Sequence, residues 1–137
     1  TSARNQINGE ITSISQEGAM NRVGVDIGNQ QHIYVSVTQI SSQNLNLTPG
    51  KAMLLLFKAP TVSICSQPTA KCSTNQLLGN LTNIAQNDTH IELSLTLDNQ
   101  QKIYSVMARS EVTSIFKLGN HYYACFDVSQ TIIASMD

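Results

Sequence analysis

The feature that most constrains this chain is that it nearly repeats itself. Shifted by 70 positions, Asn5, Gln6 and Gly9 fall on Asn75, Gln76 and Gly79, and Thr12 and Ile14 fall on Thr82 and Ile84. Asn29-Gln30-Gln31 falls on Asn99-Gln100-Gln101, and Ile33-Tyr34 on Ile103-Tyr104. With an offset of 69, Gly50 meets Gly119, Phe57 meets Phe126 and Ile64 meets Ile133. A co-linear series of this kind marks two copies of one structural unit, about 65 to 70 residues each, filling the 137 residues.

Each copy reads as β. A strand begins at 11–14. Val23, Val25 and Ile27 alternate with polar or small residues, the period of a half-buried strand. Gly28-Asn29-Gln30-Gln31 predicts a turn, and Ile33, Val35 and Val37 the returning strand, ended by Thr38. Residues 41–47 predict a short helical turn, broken at Thr48-Pro49-Gly50. The apolar run 52–57 predicts a strand buried on both sides, and Val62 with Ile64 a last short one. The second copy repeats this order, with a lead strand at 81–84 and residues 112–118 in the helical-turn place. The expected fold class is therefore all-β: two tandem five-stranded OB-like Greek-key barrels, each with a short helix between strands three and four. Residues 1–66 make the first domain, 67–71 a linker containing Pro68, and 72–137 the second. Units this small bury little surface alone, so they are expected to pack on each other and on a second chain.

Composition narrows the function by exclusion. Hydrophobic residues make up 41%, enough for a core, but charged residues only 12%, and the net charge is −1. There is no global basic field to draw nucleic acid or anionic membrane, so any anion site must be local. The run 53–57 is too short to span a bilayer, and no secretory signal appears. The chain opens on Thr1 without an initiator Met, as a fragment of a longer protein would. Cys65, Cys72 and Cys125 are odd in number and lack C-x-x-C spacing, which predicts reduced thiols and a cytoplasmic setting. Three Asn-x-Thr triplets are read as chance in an Asn/Thr-rich chain. His32, His90 and His121 are scattered without metal or dyad spacing. No nucleophile elbow, P-loop or dinucleotide fingerprint is present. No enzyme, no catalytic cofactor and no directly coordinated metal is expected.

The positive signal is a set of cationic and hydroxyl residues at strand ends in the first copy: Ser2 and Arg4, Thr38 and Ser41, and Lys58. Arg supplies a planar fork of donors suited to an oxyanion, Lys a point charge, and hydroxyls neutral donors. Arg4 and Lys58 together match a dianion. Taken singly, each has an ordinary role. A terminal Arg is usually solvated, a Lys after a strand is an edge charge, and Thr38 and Ser41 are placed to cap the short helix.

The second copy acts as an internal control. Arg4 aligns with Thr74, Thr38 with Ala108, Ser41 with Glu111 and Lys58 with Asp127. Every change removes a donor or a positive charge, while the apolar skeleton stays. Asn5 and Gln6, kept in both copies, are expected to serve the fold. Ser2, Arg4, Thr38 and Lys58 vary as a group.

Ser2-Ala3-Arg4-Asn5, then Thr38 with Ser41 and Leu45-x-Leu47-x-x-Gly50, then Lys58-Ala59-Pro60, resembles the Mop family of molybdate-binding domains. The resemblance covers the whole chain as a tandem of two. It is most similar to the C-terminal sensor region of ModE-type molybdate-responsive transcription regulators, in which only the first copy carries S-A-R-N. The resemblance implies a homodimer holding molybdate or tungstate at the subunit interface. Ser2, Arg4 and Lys58 of one chain would face Thr38 and Ser41 of the other, with backbone N–H groups around Ala59 assisting. Ser41-Ser42 leaves open which hydroxyl reaches the ligand. DNA binding is implied only through an N-terminal helix-turn-helix domain outside this chain, and no membrane partner is implied. The alternative is a cytoplasmic storage protein of the molbindin type. A nucleic-acid-binding OB module would need a basic groove and stacking aromatics, and aromatics are 5% with no Trp.

Overall fold

The computed structural model describes residues 4–136, and of Arg4 the backbone only. The elements run β1 (Arg4–Glu17), β2 (Met20–Gly28), β3 (Gln31–Thr38), α1 (Gln39–Asn44), β4 (Ala52–Lys58) and β5 (Ser63–Cys65). The second copy follows with β6 (Thr74–Gln86), β7 (His90–Thr96), β8 (Lys102–Ala108), β9 (His121–Asp127) and β10 (Ile132–Ser135). The lead strands β1 and β6 start well before the positions expected from the sequence, because their first halves alternate only weakly. Asn and Gln occupy much of Asn5–Asn8 and Asn75–Asn80.

The long lead strand does two jobs. The first half of β1 pairs with β4 and its second half with β2, and a bulge between Ile11 and Ser13 marks the change of partner. β6 does the same against β9 and β7, with its bulge between Leu81 and Asn83. Bulges of this kind bend a strand and raise its twist, which curls a sheet toward a barrel. Gly9 sits in the bend. A Cβ there would lie 2.5 Å from Val25 Cγ1 and 2.7 Å from the Asp26 carbonyl oxygen, so no other residue fits without displacement. After α1, Gly50 takes φ 93°, as Gly119 takes 89° in the second copy. At each the following chain returns to the bulge, with Gly50 N–H donating to Ile11 O at 2.8 Å and Gly119 N–H to Leu81 O at 2.9 Å.

Both sheets have five strands, but not the five strands of one copy. The orders are β10-β4-β1-β2-β3 and β5-β9-β6-β7-β8. The last strand of each copy crosses over and completes the sheet of the other: Ile132 opposes Leu56 on β4, and Ser63 opposes Cys125 on β9. The sequence reading kept each last strand with its own copy. The crossing is short because β4 and β9 end side by side, with Phe57 and Phe126 stacked at 4.2 Å between centroids. A 3-10 turn follows each strand, at Ala59–Thr61 and Val128–Gln130, and turns the chain into the neighbouring sheet.

Polar clamps reinforce the exchange. Asn5 is buried, donates to Tyr104 O at 3.0 Å and accepts from Tyr104 N–H at 2.7 Å. Asn75 does the same to Tyr34, at 2.8 Å both ways. Each amide thus pairs like a strand with the other copy's third strand. The Ser105 hydroxyl adds a buried bond to Val62 O at 2.5 Å. A single core of side chains from both copies runs through the molecule, from Ile7, Val25 and Leu55 to Leu77, Leu95 and Phe126.

Two local expectations are corrected. The second copy has no α-helix between its third and fourth strands, only a 3-10 turn at Arg109–Glu111. The reason lies at the cap: Thr38 caps α1 by accepting from Ser41 N–H, whereas Ala108 has no side chain to do so. β4 is not buried on both sides either. Met53, Leu55 and Phe57 are buried, while Leu54 and Leu56 are half-buried, because no second layer among the described residues covers the outer face.

Candidate anion-binding site

β4 brings Lys58 to the surface at its last position, on the outer face with Leu54 and Leu56. Arg4 opposes Lys58 directly in the β1–β4 ladder. The two cationic residues singled out from the sequence are therefore cross-strand neighbours. Among the described residues the Lys58 ammonium has no hydrogen-bond or ion-pair partner, while its carbonyl accepts from the Thr61 hydroxyl at 2.6 Å. A hollow of about 300 Å³ adjoins it, lined by Leu56, Phe57, Lys58, Thr61, Ser129, Gln130 and Ile132. Ala59 follows, wholly buried, at the head of the 3-10 turn. Ser2 and the side chain of Arg4 lie outside the described residues.

Thr38 and Ser41 form a second pair. The Thr38 hydroxyl accepts from Ser41 N–H at 3.0 Å and donates to the Ser41 hydroxyl at 2.9 Å. Both residues are exposed, whereas Ser42 is buried. Of the two adjacent serines, Ser41 is thus the one joined to Thr38 at the surface. The capping role that such residues ordinarily play is real here, and it presents two hydroxyls together.

The two pairs do not meet within one chain. Arg4 and Lys58 mark the first residue of β1. Thr38 opposes Met20, which opposes Glu17 at the last residue of β1. Thirteen residue steps separate Arg4 from Glu17. That is up to about 43 Å of strand, less what the bend at the bulge removes.

In the second copy Thr74 opposes Asp127 where Arg4 opposes Lys58, as the repeat alignment requires. The Asp127 carboxylate accepts from Ser129 N–H at 2.9 Å and from its hydroxyl at 2.7 Å. Those bonds hold its pKa below the usual carboxylate range. A fixed anion with local donors stands where the first copy has a cation without a partner among the described residues.

Sequence reasoning missed two neighbours of Lys58. Ser129 and Gln130 reach the hollow only because the second copy's last strand crosses over, and no local pattern announces that. The outer-face stripe was missed too: Leu54 and Leu56 lay in an apolar run that read as a buried strand, and the 59% exposed Ile132 joins them only through the β10–β4 pairing.

Residues 1–64 match the family model of the TOBE domain. The first repeat is thus similar to a TOBE domain. Over nearly its whole length the chain is also related to ModE proteins. The transcriptional regulator ModE of Yersinia pestis is 29% identical over 139 residues, covering 99% of this chain and 53% of the relative. The DNA-binding transcriptional dual regulator ModE of Escherichia coli K12 is 31% identical over 138 residues, covering 99% and 52%. The molybdenum transport protein ModE of Azotobacter vinelandii is 30% identical over 108 residues, covering 78% and 40%. The chain therefore spans about half the length of these relatives. Its fold is that of ModG, a cytoplasmic molybdate-binding protein whose structure with molybdate bound superposes with a TM-score of 0.89 over 98% of both chains, at 24% identity. The fold formed by the two copies is thus a known one. No helix among the described residues is long and apolar enough to cross a membrane.

Proposed function

We propose that this tandem of two copies is the molybdate- and tungstate-binding sensor region of a molybdenum-responsive DNA-binding transcription regulator. The relation to ModE regulators along 99% of the chain supports the regulator. For the site, one observation carries the reading: Arg4 and Lys58 are ladder partners at one end of β1, and Thr38 and Ser41 are hydroxyl partners at the other. Two copies related by a two-fold axis would bring the cationic end of one against the hydroxyl end of the other, twice. The stripe of half-buried Leu54 and Leu56 with exposed Ile132, running up to Lys58, is the kind of apolar surface such a contact covers. Ser2 and backbone N–H groups near Ala59 complete the donor set.

The anion is a closed tetrahedron, so the protein supplies donors rather than metal ligands. Two facing cations repel until it is present. Binding offsets them and favours the arrangement in which the copies are closed on each other. In the whole protein that shift would set the spacing of DNA-binding domains carried outside this chain. The storage alternative is disfavoured by the second copy, where Thr74, Ala108 and Asp127 abolish the set. Nothing in the donor set performs bond-making chemistry, so the protein acts as a binder.

Arg4→Ala and Lys58→Ala are each expected to weaken molybdate binding at least tenfold by calorimetry, while the melting temperature without ligand stays near that of the parent. Asp127→Ala should leave affinity within a few-fold. Unchanged affinity in both cation variants, or a large loss in the Asp127 variant, would move the site elsewhere. Sedimentation with and without molybdate tests the two-copy arrangement.

A further inference from the structure

The first copy's last strand is joined to the second copy's sheet at a place where two thiols meet. Cys65 on β5 opposes Tyr123 on β9, and Ser63 opposes Cys125. Directly opposed residues share a face, and so do residues two apart on one strand. Cys65 and Cys125 therefore lie on the same face as diagonal neighbours. The Cys125 thiol leans back along its strand and donates to Tyr123 O at 3.8 Å, the residue straight across from Cys65. After burial, the neighbouring Cys65 is what raises the pKa of that thiol. Both are free thiols. Cys125 is buried and Cys65 partly open, while exposed Cys72 lies beyond the Gln67–Lys71 segment.

We propose that Cys65 and Cys125 are a redox-reactive pair that a small-molecule disulfide closes into a bond, stapling the exchanged strand β5 to the sheet it completes. The pair is independent of the anion site and of the function proposed for it. The order of steps follows from access and ionisation. Burial first, and then Cys65, push the Cys125 thiol up to about 12, so it is the weaker attacker. The Cys65 thiolate attacks one sulfur of glutathione disulfide. A Cys65–glutathione S–S bond forms, the glutathione S–S bond breaks, and one glutathione leaves and takes up a proton. Once Cys65 is capped, a charge that would oppose ionisation of Cys125 cannot form there. Cys125 then loses its proton to water, attacks the Cys65 sulfur and expels the second glutathione. Two protein thiols are oxidised and one glutathione disulfide is reduced to two thiols. The closed loop runs from 65 to 125 and ties the end of one copy to the fourth strand of the other. It restricts the unfolded chain and holds the exchange against opening.

The test treats the intact 137-residue chain with glutathione disulfide at neutral pH, followed by mass spectrometry without reduction. The expected product has lost two hydrogens, yields a Cys65–Cys125 cross-linked peptide, melts at higher temperature and reverts with dithiothreitol. Cys72→Ser should form the same link. Cys65→Ser, at the partly open position, should form none and still fold. Cys125→Ser should stop at a glutathione adduct on Cys65. A Cys65–Cys72 link, an adduct on Cys72 alone, or a Cys65–Cys125 link that forms only in denaturant would each overturn the pairing.

Discussion

At the scale of single residues, the repeat turns small differences into controlled comparisons. Asn5 and Asn75 occur in both copies, and both hold the other copy's third strand through two hydrogen bonds. Losing either would strand a buried N–H and C=O, each costing about 1–3 kcal/mol. Gln6 and Gln76 also occur in both, yet their roles part. Gln76 binds the Thr69 backbone at 2.7 and 2.5 Å and anchors the linker, while Gln6 is exposed. Thr131 is buried, and its hydroxyl has no partner among the described residues. The equivalent position in the first copy is Val62, which has the same shape without the hydroxyl. Thr131→Val should therefore stabilise the protein by about 1 kcal/mol, the order of cost of a buried unpaired hydroxyl. Equilibrium denaturation in urea measures it, and a loss of stability would mean that the hydroxyl is satisfied. The cation and hydroxyl residues were legible one by one, because charge and donor type are written in the residue names. Which of them share a ladder rung was not.

At the scale of elements, the curled lead strands decide the shape of each sheet. Their bulges lie at equivalent positions, but their glycines are not equally tight. A Cβ at Gly9 meets a backbone oxygen at 2.7 Å, whereas at Gly79 the nearest atoms stand at 3.2 Å. Backbone cannot rotate away as a side-chain tip can. Gly9→Ala is expected to destabilise by about 1–3 kcal/mol through displacement of β1 against β2. Gly79→Ala should be close to neutral, since a modest adjustment is set against the reduced freedom of the unfolded chain. Thermal melts of the two variants side by side check the ranking, and equal losses would refute it. Strands β2, β3, β7 and β8 were readable because one face is buried and alternation follows. The first halves of β1 and β6 were not, since Asn5 and Asn75 fill buried positions there and are satisfied by the other copy's backbone. The helix of the first copy and its loss in the second trace to a single cap, Thr38 against Ala108.

At the scale of the whole molecule, the two copies are one folding unit. Each sheet is completed by the other copy's chain, Phe57 and Phe126 stack at their junction, and the core is continuous. A protease site placed in 67–71 and cut should leave the halves associated, co-eluting and melting in one transition. Halves that separate on size exclusion would show two independent domains. The sequence by itself determined the repeat, the β class, the number of strands and the asymmetry between a donor-rich copy and a donor-poor one. These follow from local periodicity and from residue chemistry compared at a fixed offset. Only the tertiary structure decided which sheet each last strand joins, that Arg4 and Lys58 are partners, and that the hydroxyl pair stands at the far end of β1. Strand pairing is set by contacts between segments distant along the chain, and a residue's own neighbours in sequence carry no record of them.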